Sequence, residues 1–246
     1  MNNEPTIKIL HLSKTYGKIR AVEDLNLTIH RGEVFGFLGP NGAGKTTTIR
    51  MMVGLIRPTT GSVEICGHDV FRSFMPAISK MGVMVEAPTF YPYLSGRKNL
   101  EILYRLSLGS KLASDHHEQI DKALETVQLT DRGHDPVKQY SQGMKQRLGI
   151  AAAILHRPEC VILDEPTNGL DPAGRKEMRS LIRSLVADRH ITVFLSSHLL
   201  SEVEQICNRI AIIDKGKLLA CDSVKSILQQ TNESLENFFL RLTESE

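Results

Sequence analysis

A chain of 246 residues, 41% of them hydrophobic, is long enough to bury one α/β core with a smaller lobe attached. Thirty Lys and Arg against 28 Asp and Glu leave a net charge of +2, distributed with no basic stripe, which speaks against a nucleic-acid partner. No apolar run reaches the roughly 18–20 residues that span a bilayer, and Met1-Asn2-Asn3-Glu4-Pro5 has no signal-peptide core, so the expectation is a cytoplasmic chain.

Residues 7–10 and 25–29 have the look of strands, and Glu33-Val34-Phe35-Gly36-Phe37-Leu38 that of a short buried one. Gly39-Pro40-Asn41-Gly42-Ala43-Gly44-Lys45-Thr46 follows and fits G-x-x-x-x-G-K-[ST] at every required position. Residues 47–56 then read as a helix, and residues 62–65 and 81–85 as strands, the second ending at Glu86. From there the pattern turns helical, with apolar residues three and four apart over 96–104 and 117–127. After Arg157 the βα alternation returns, with strands at 161–163, 191–195 and 210–213 and a helix over 172–186. Residues 223–242 read as an amphipathic helical tail.

The order strand, glycine loop, helix is what triphosphate binding needs. Glycines let backbone N–H groups converge on one point, and the helix N-terminus adds the positive end of its dipole there. Lys45 can reach the β- and γ-phosphates, and the Thr46 hydroxyl can ligate Mg²⁺. Cys160-Val161-Ile162-Leu163-Asp164-Glu165 is a second apolar strand, ending in two acids. Asp164 is placed to hold Mg²⁺, directly or through water, and Glu165 to face a water beyond the γ-phosphate.

With Pro166-Thr167-Asn168-Gly169-Leu170-Asp171-Pro172 following, the chain resembles the ATP-binding-cassette (ABC) ATPases over nearly all its length. Tyr16 stands where that family stacks an aromatic ring on adenine. Tyr140-Ser141-Gln142-Gly143-Met144-Lys145-Gln146-Arg147 stands in place of the signature motif, Gly169-Leu170-Asp171 resembles the D-loop, and Ser196-Ser197-His198 resembles the switch histidine segment. The resemblance implies a P-loop NTPase fold with a RecA-like core, about residues 6–85 and 158–222, and an inserted helical subdomain, about 86–157, before a tail over 223–246. It implies ATP and Mg²⁺ as ligands. Tyr16, the loop residues 39–46, Thr47, Ser141 and Gly143 would bind nucleotide, and Thr46, Glu86 and Asp164 the metal. Lys45, Glu165 and His198 would be catalytic. With one set of motifs per chain, two copies would pair head-to-tail, and separate transmembrane permease subunits would hold the pair at the inner face of the plasma membrane.

Two departures stand out. The signature usually reads Leu-Ser-Gly-Gly-Gln, but Ser141 and Gly143 keep the hydroxyl and the close backbone approach. Glu86 replaces the usual glutamine, which keeps an oxygen ligand and loses an N–H₂ donor. Residues 85–92 together with the Ser-x-Gly-Met-Lys-Gln-Arg signature resemble the bacitracin- and lantibiotic-export group. The contrasting readings are a soluble ABC ATPase acting on ribosomes or DNA, whose usual tandem cassettes or inserted coiled coil this sequence does not show, and an ABC transporter subunit for an unrelated substrate. Cys66, Cys160, Cys207 and Cys221 have no C-x-x-C spacing and read as reduced thiols. His116-His117 reads as a solvated turn rather than a metal pair, and the resemblance places Phe90-Tyr91-Pro92-Tyr93 at the start of the helical lobe, where an exposed aromatic patch would face a membrane partner rather than nucleic acid.

Overall fold

A computed structural model of the chain describes residues 5–86, 88–108, 116–231 and 234–243. It opens on two long antiparallel strands, β1 (Pro5–Tyr16) and β2 (Ile19–His30). Ile7 and Ile9 on one strand, and Leu25, Leu27 and Ile29 on the other, are buried at every second position, as a half-buried sheet requires. The register slips between Ile9 and Leu12, where His11 takes φ +48°, and such a bulge adds twist. β4 (Thr60–Ile65) pairs with β1, and the short β5 (His68–Asp69) completes a sheet ordered β2-β1-β4-β5.

The larger sheet is built from β3 (Val34–Leu38), β6 (Met81–Met84), β7 (Cys160–Asp164), β8 (Thr192–Ser197) and β9 (Arg209–Asp214), all parallel in the order β9-β3-β8-β7-β6. β10 (Lys217–Ser223) closes its edge antiparallel to β9. β3 and β8 are buried at every residue, which explains the apolar run of β3 and the apolar centre of β8, whose Thr192, Ser196 and Ser197 are buried hydroxyls. Their side chains still alternate between two cores. Phe35, Phe37 and Phe194 meet at ring-centroid distances of 5.8 and 5.5 Å and pack with Ile49, Met51 and Met52 of α1 (Lys45–Met52). The same core takes in β1 and β2, so α1 lies between the two sheets. Val34, Leu38, Val193 and Leu195 face the opposite core.

That second core is covered by α5 (Gln142–Ile154), α6 (Pro172–Ala187) and α7 (Leu200–Ile206). Between β6 and β7 the chain forms α3 (Gly96–Leu108), α4 (His116–Thr126) and α5, which bury Leu100, Tyr104, Ile120, Leu124 and Leu148 against one another. The tail is two helices, α8 (Val224–Thr231) and α9 (Leu235–Thr243), with Leu235 fully buried and Phe238 and Phe239 packed on the same core. A short helix, α2 (Phe74–Ile78), precedes β6.

The helix after the glycine loop ends at Met52 rather than at residue 56, because Gly54 turns the chain with φ +76°. α2, α7 and β10 have no strong periodic signal in the sequence, and contacts to the sheets make them regular. His116 and His117 open α4 instead of forming a turn, and their rings touch at 3.9 Å between centroids. Among the described residues all four cysteines are free, with Cys160 and Cys207 buried and their thiol pKa values raised by burial. No helix among those residues is long and apolar enough to cross a membrane.

Candidate active site

The parallel sheet delivers the C-terminal ends of its strands to one side, where such sheets bind ligands. β3 runs into the glycine loop, β6 is followed by Glu86, β7 ends at Asp164 beside Glu165, and β8 ends just before His198. A cavity of about 470 Å³ opens there, lined among others by Thr46, Glu86, Gln146, Asp164 and Glu165.

Gly42 and Gly44 take φ values of +83° and +106°, a region that L side chains rarely enter. A Cβ on Gly44 would also strike the carbonyl oxygen of Ala21 on β2, so the loop packs tightly on the antiparallel sheet. Ala43 is buried, while Asn41 is exposed at the tip. Lys45 folds back over the loop, its Nζ donating to the carbonyl oxygens of Gly39 at 2.7 Å and Pro40 at 3.1 Å. Burial lowers its pKa, and the nearby carboxylates of Glu165 and Asp164 act against that shift. Its ammonium is thus held over neutral carbonyls inside the loop, and phosphate oxygens would be stronger partners. Thr46 lines the cavity, Thr47 is half-buried beside it, and Thr48 Oγ1 donates to the carbonyl of Gly44 at 3.0 Å.

The acids form a connected set. Asp164 Oδ1 accepts a hydrogen bond from Ser196 Oγ at 2.5 Å, and Ser196 Oγ accepts from the backbone N–H of Glu165 at 3.0 Å. Glu165 sits at φ +49°, and its Oε1 lies 3.1 Å from Nδ1 of His198. Ser197 Oγ accepts from the N–H of Leu199, shaping the turn that carries the histidine. Sequence reasoning did not assign roles to these two serines, although a hydroxyl pair at a strand end, directly before the histidine, was the available signal.

Glu86 lines the cavity but is already engaged. Its backbone takes φ +66°, and Oε1 accepts from Arg50 Nη2 of α1 at 2.5 Å. Among the described residues no group of three His, Cys, Asp or Glu side chains could form a metal cage. The hydroxyl of Thr46 and the carboxylate of Asp164, facing one cavity, make a hard and incomplete oxygen set. That suits Mg²⁺, which takes only one or two protein ligands and fills its octahedron with water and phosphate oxygens.

Ser141 and Gly143 lie at the start of α5. Ser141 Oγ caps the helix by accepting from the N–H of Met144 at 3.2 Å. A Cβ on Gly143 would find its nearest neighbours at 3.8 and 3.9 Å, which is ordinary contact, so this chain's own packing does not demand glycine there. Asp171 caps α6 through the N–H of Gly174 at 3.0 Å. Tyr16 ends β1 with 48% of its surface exposed, and Lys14 Nζ lies 5.0 Å from the centre of its ring.

A glycine loop and two adjacent acids at the ends of parallel strands define a P-loop ATPase. The ABC transporter family matches residues 22–168, and the chain belongs to that family as an ATP-binding, ATP-hydrolysing cassette. It is 52% identical to the ABC transporter ATP-binding protein YhcH of Bacillus subtilis (strain 168) over 220 residues, 88% of this chain and 70% of that protein. It is 50% identical to the bacitracin transport ATP-binding protein BcrA of Bacillus licheniformis over 214 residues, 87% of this chain and 68% of that one. A solved ATP-binding subunit of an ABC transporter superposes with TM-score 0.83 at 27% identity, covering 96% of this chain and 99% of that one. A dimeric cassette in a post-hydrolysis state with ADP and Pi shares the fold, with TM-score 0.77 at 24% identity over 89% of this chain and 98% of that one.

Proposed function

We propose that this chain powers export of a bacitracin- or lantibiotic-like antimicrobial peptide through separate membrane permease subunits, giving self-immunity or resistance. The observation that carries this reading is the 50% identity to a bacitracin transport ATP-binding protein across 87% of the chain. The chain works as a peripheral subunit on the cytoplasmic face of the plasma membrane.

Two copies pair head-to-tail, each laying its Ser141 and Gly143 helix start over the γ-phosphate held by the other. The space around Gly143 and the exposed position of Ser141 support this, since both are open to a partner. Tyr16 stacks on the adenine, and the backbone N–H groups of residues 39–47 hold the phosphates. Lys45 leaves its two loop carbonyls for the β- and γ-phosphate oxygens. Mg²⁺ bound by Thr46 and Asp164 would neutralise phosphate charge, with Glu86 adding a third oxygen when Arg50 releases it. Glu165 takes the proton of the attacking water, and His198, already within hydrogen-bond distance of Glu165, aligns with the γ-phosphate.

The permease docks on the far wall of the same lobe junction. An apolar groove of about 810 Å³ runs between α2, β6, α3 and α5, with Phe74, Met75, Phe90 and Leu106 on its walls. Beside it Tyr91 and Tyr93 are 61% and 79% exposed. Asn99 fixes that loop, accepting from the N–H of Tyr91 and donating to the carbonyls of Tyr91 and Ser95.

The reading is tested by co-expressing the chain with its permease subunits in a bacitracin-sensitive host. The minimal inhibitory concentration should rise with the wild-type chain and not with Glu165→Gln. An active ATPase that leaves the host's sensitivity to bacitracin and lantibiotics unchanged would overturn the peptide assignment.

A further inference from the structure

Ser196 lies on β8, fully buried, opposite Asp164 in the parallel pairing with β7. Its hydroxyl carries a single proton. That proton goes to Asp164 Oδ1 over 2.5 Å, the short distance of a charge-assisted bond. The lone pairs are then left to accept, and one takes the N–H of Glu165 at 3.0 Å. The two bonds have fixed and opposite directions, so a single side chain orients the metal-side carboxylate and holds the backbone of the next residue.

That backbone needs holding. Glu165 sits at φ +49°, a left-handed conformation that a glutamate adopts only when its surroundings over-determine it. Released, it would relax toward the right-handed or extended region and swing its carboxylate away from His198, now 3.1 Å off. We infer that Ser196 is a positioning residue for ATP hydrolysis. It aims Asp164 at the cation and locks Glu165 in the strained geometry from which it reaches the attacking water. The inference rests on the ATPase reading of this site. A plain structural role, in which the hydroxyl only satisfies itself inside the sheet, predicts lost stability without any change in metal binding.

The test uses the 246-residue chain and two readouts. In a Glu165→Gln background, expected to retain nucleotide, Mn²⁺ binding to the ATP-loaded protein is followed by electron paramagnetic resonance. Adding Ser196→Ala should raise the Mn²⁺ half-saturation by roughly tenfold, the scale of one hydrogen bond to a charged group. In the otherwise wild-type chain, Ser196→Ala should lower kcat by roughly tenfold or more, with KM for ATP within about twofold, since the phosphate loop is untouched. Ser196→Thr keeps the hydroxyl and should recover most of both. If Ser196→Ala fails to fold by circular dichroism, Ser196→Cys, a weaker donor of similar size, takes its place and should show the same shifts at smaller size. Mn²⁺ binding and kcat that overlay the parent chains overturn the inference while leaving the ATPase reading intact. A wild-type chain that binds no ATP overturns both.

Discussion

Glu165 and Lys45 contribute to the site in different ways, and their substitutions should separate. Glu165→Gln removes the proposed base while keeping the shape, so hydrolysis should fall by roughly 10²-fold or more with ATP binding retained. ATP should then hold the chain as a dimer on size-exclusion chromatography. Lys45→Ala removes a charge felt by bound phosphates before and during reaction, so binding and turnover should fall together in a fluorescent-nucleotide titration and a phosphate-release assay. Glu86 makes a finer case, because its carboxylate is shared between Arg50 and the cavity. Glu86→Gln should raise the Mg²⁺ concentration for half-maximal activity and keep turnover within roughly an order of magnitude, a neutral oxygen binding a hard cation less well. Arg50→Ala should move that midpoint the other way by freeing the carboxylate, and a magnesium titration that overlays wild type for both would remove Glu86 from the metal set.

Helix α5 serves two purposes at its first turn. Ser141 caps it, a contribution of about 1 kcal/mol, and also presents its hydroxyl outward. The two can be told apart. Ser141→Ala should lower the melting temperature by roughly 2–4 °C for a chain of this size and also weaken the ATP-dependent dimer. Ser141→Asp should preserve the cap and hence the melting temperature, since aspartate caps as well as serine. Its charge would repel a γ-phosphate, so the dimer should vanish; an ATP-dependent dimer that survives Ser141→Asp would place the partner's phosphate elsewhere. The motif of this turn is legible in the sequence because capping and glycine spacing are local. The residue before it is less so: Tyr140 is buried and donates through its hydroxyl to the carbonyl of Arg132 at 2.6 Å, a contact no local rule announces.

Across the whole molecule, the lobe junction carries the acid-lined cavity on one side and an apolar groove on the other. Glu86 belongs to the walls of both. Movement of the helices relative to the sheet would therefore be felt at both, which gives a physical basis for the proposed coupling of hydrolysis to a permease. Met75→Glu or Leu106→Glu places a charge on exposed apolar surface, where folding is little affected. Each should reduce co-sedimentation with membranes containing the permease and leave nucleotide affinity unchanged. Retained co-sedimentation in both would move the docking face off this groove.

The glycine loop, the acid-tipped strand at Asp164 and the order of βα units are readable from the sequence alone. Each depends on the spacing of neighbouring residues and on the strand or helix period. The serine behind the acids is not, because Ser196 is 32 positions from Asp164 and meets it only when β7 and β8 pair in parallel register. The ion pair of Arg50 with Glu86 spans 36 positions and depends on where α1 lies against the end of β6. The groove draws on α2, β6, α3 and α5 at once, so no single segment contains it. Local chemistry writes the binding motifs into the chain; which side chains share a proton, a charge or a cavity is decided when packing brings distant strands and helices into contact.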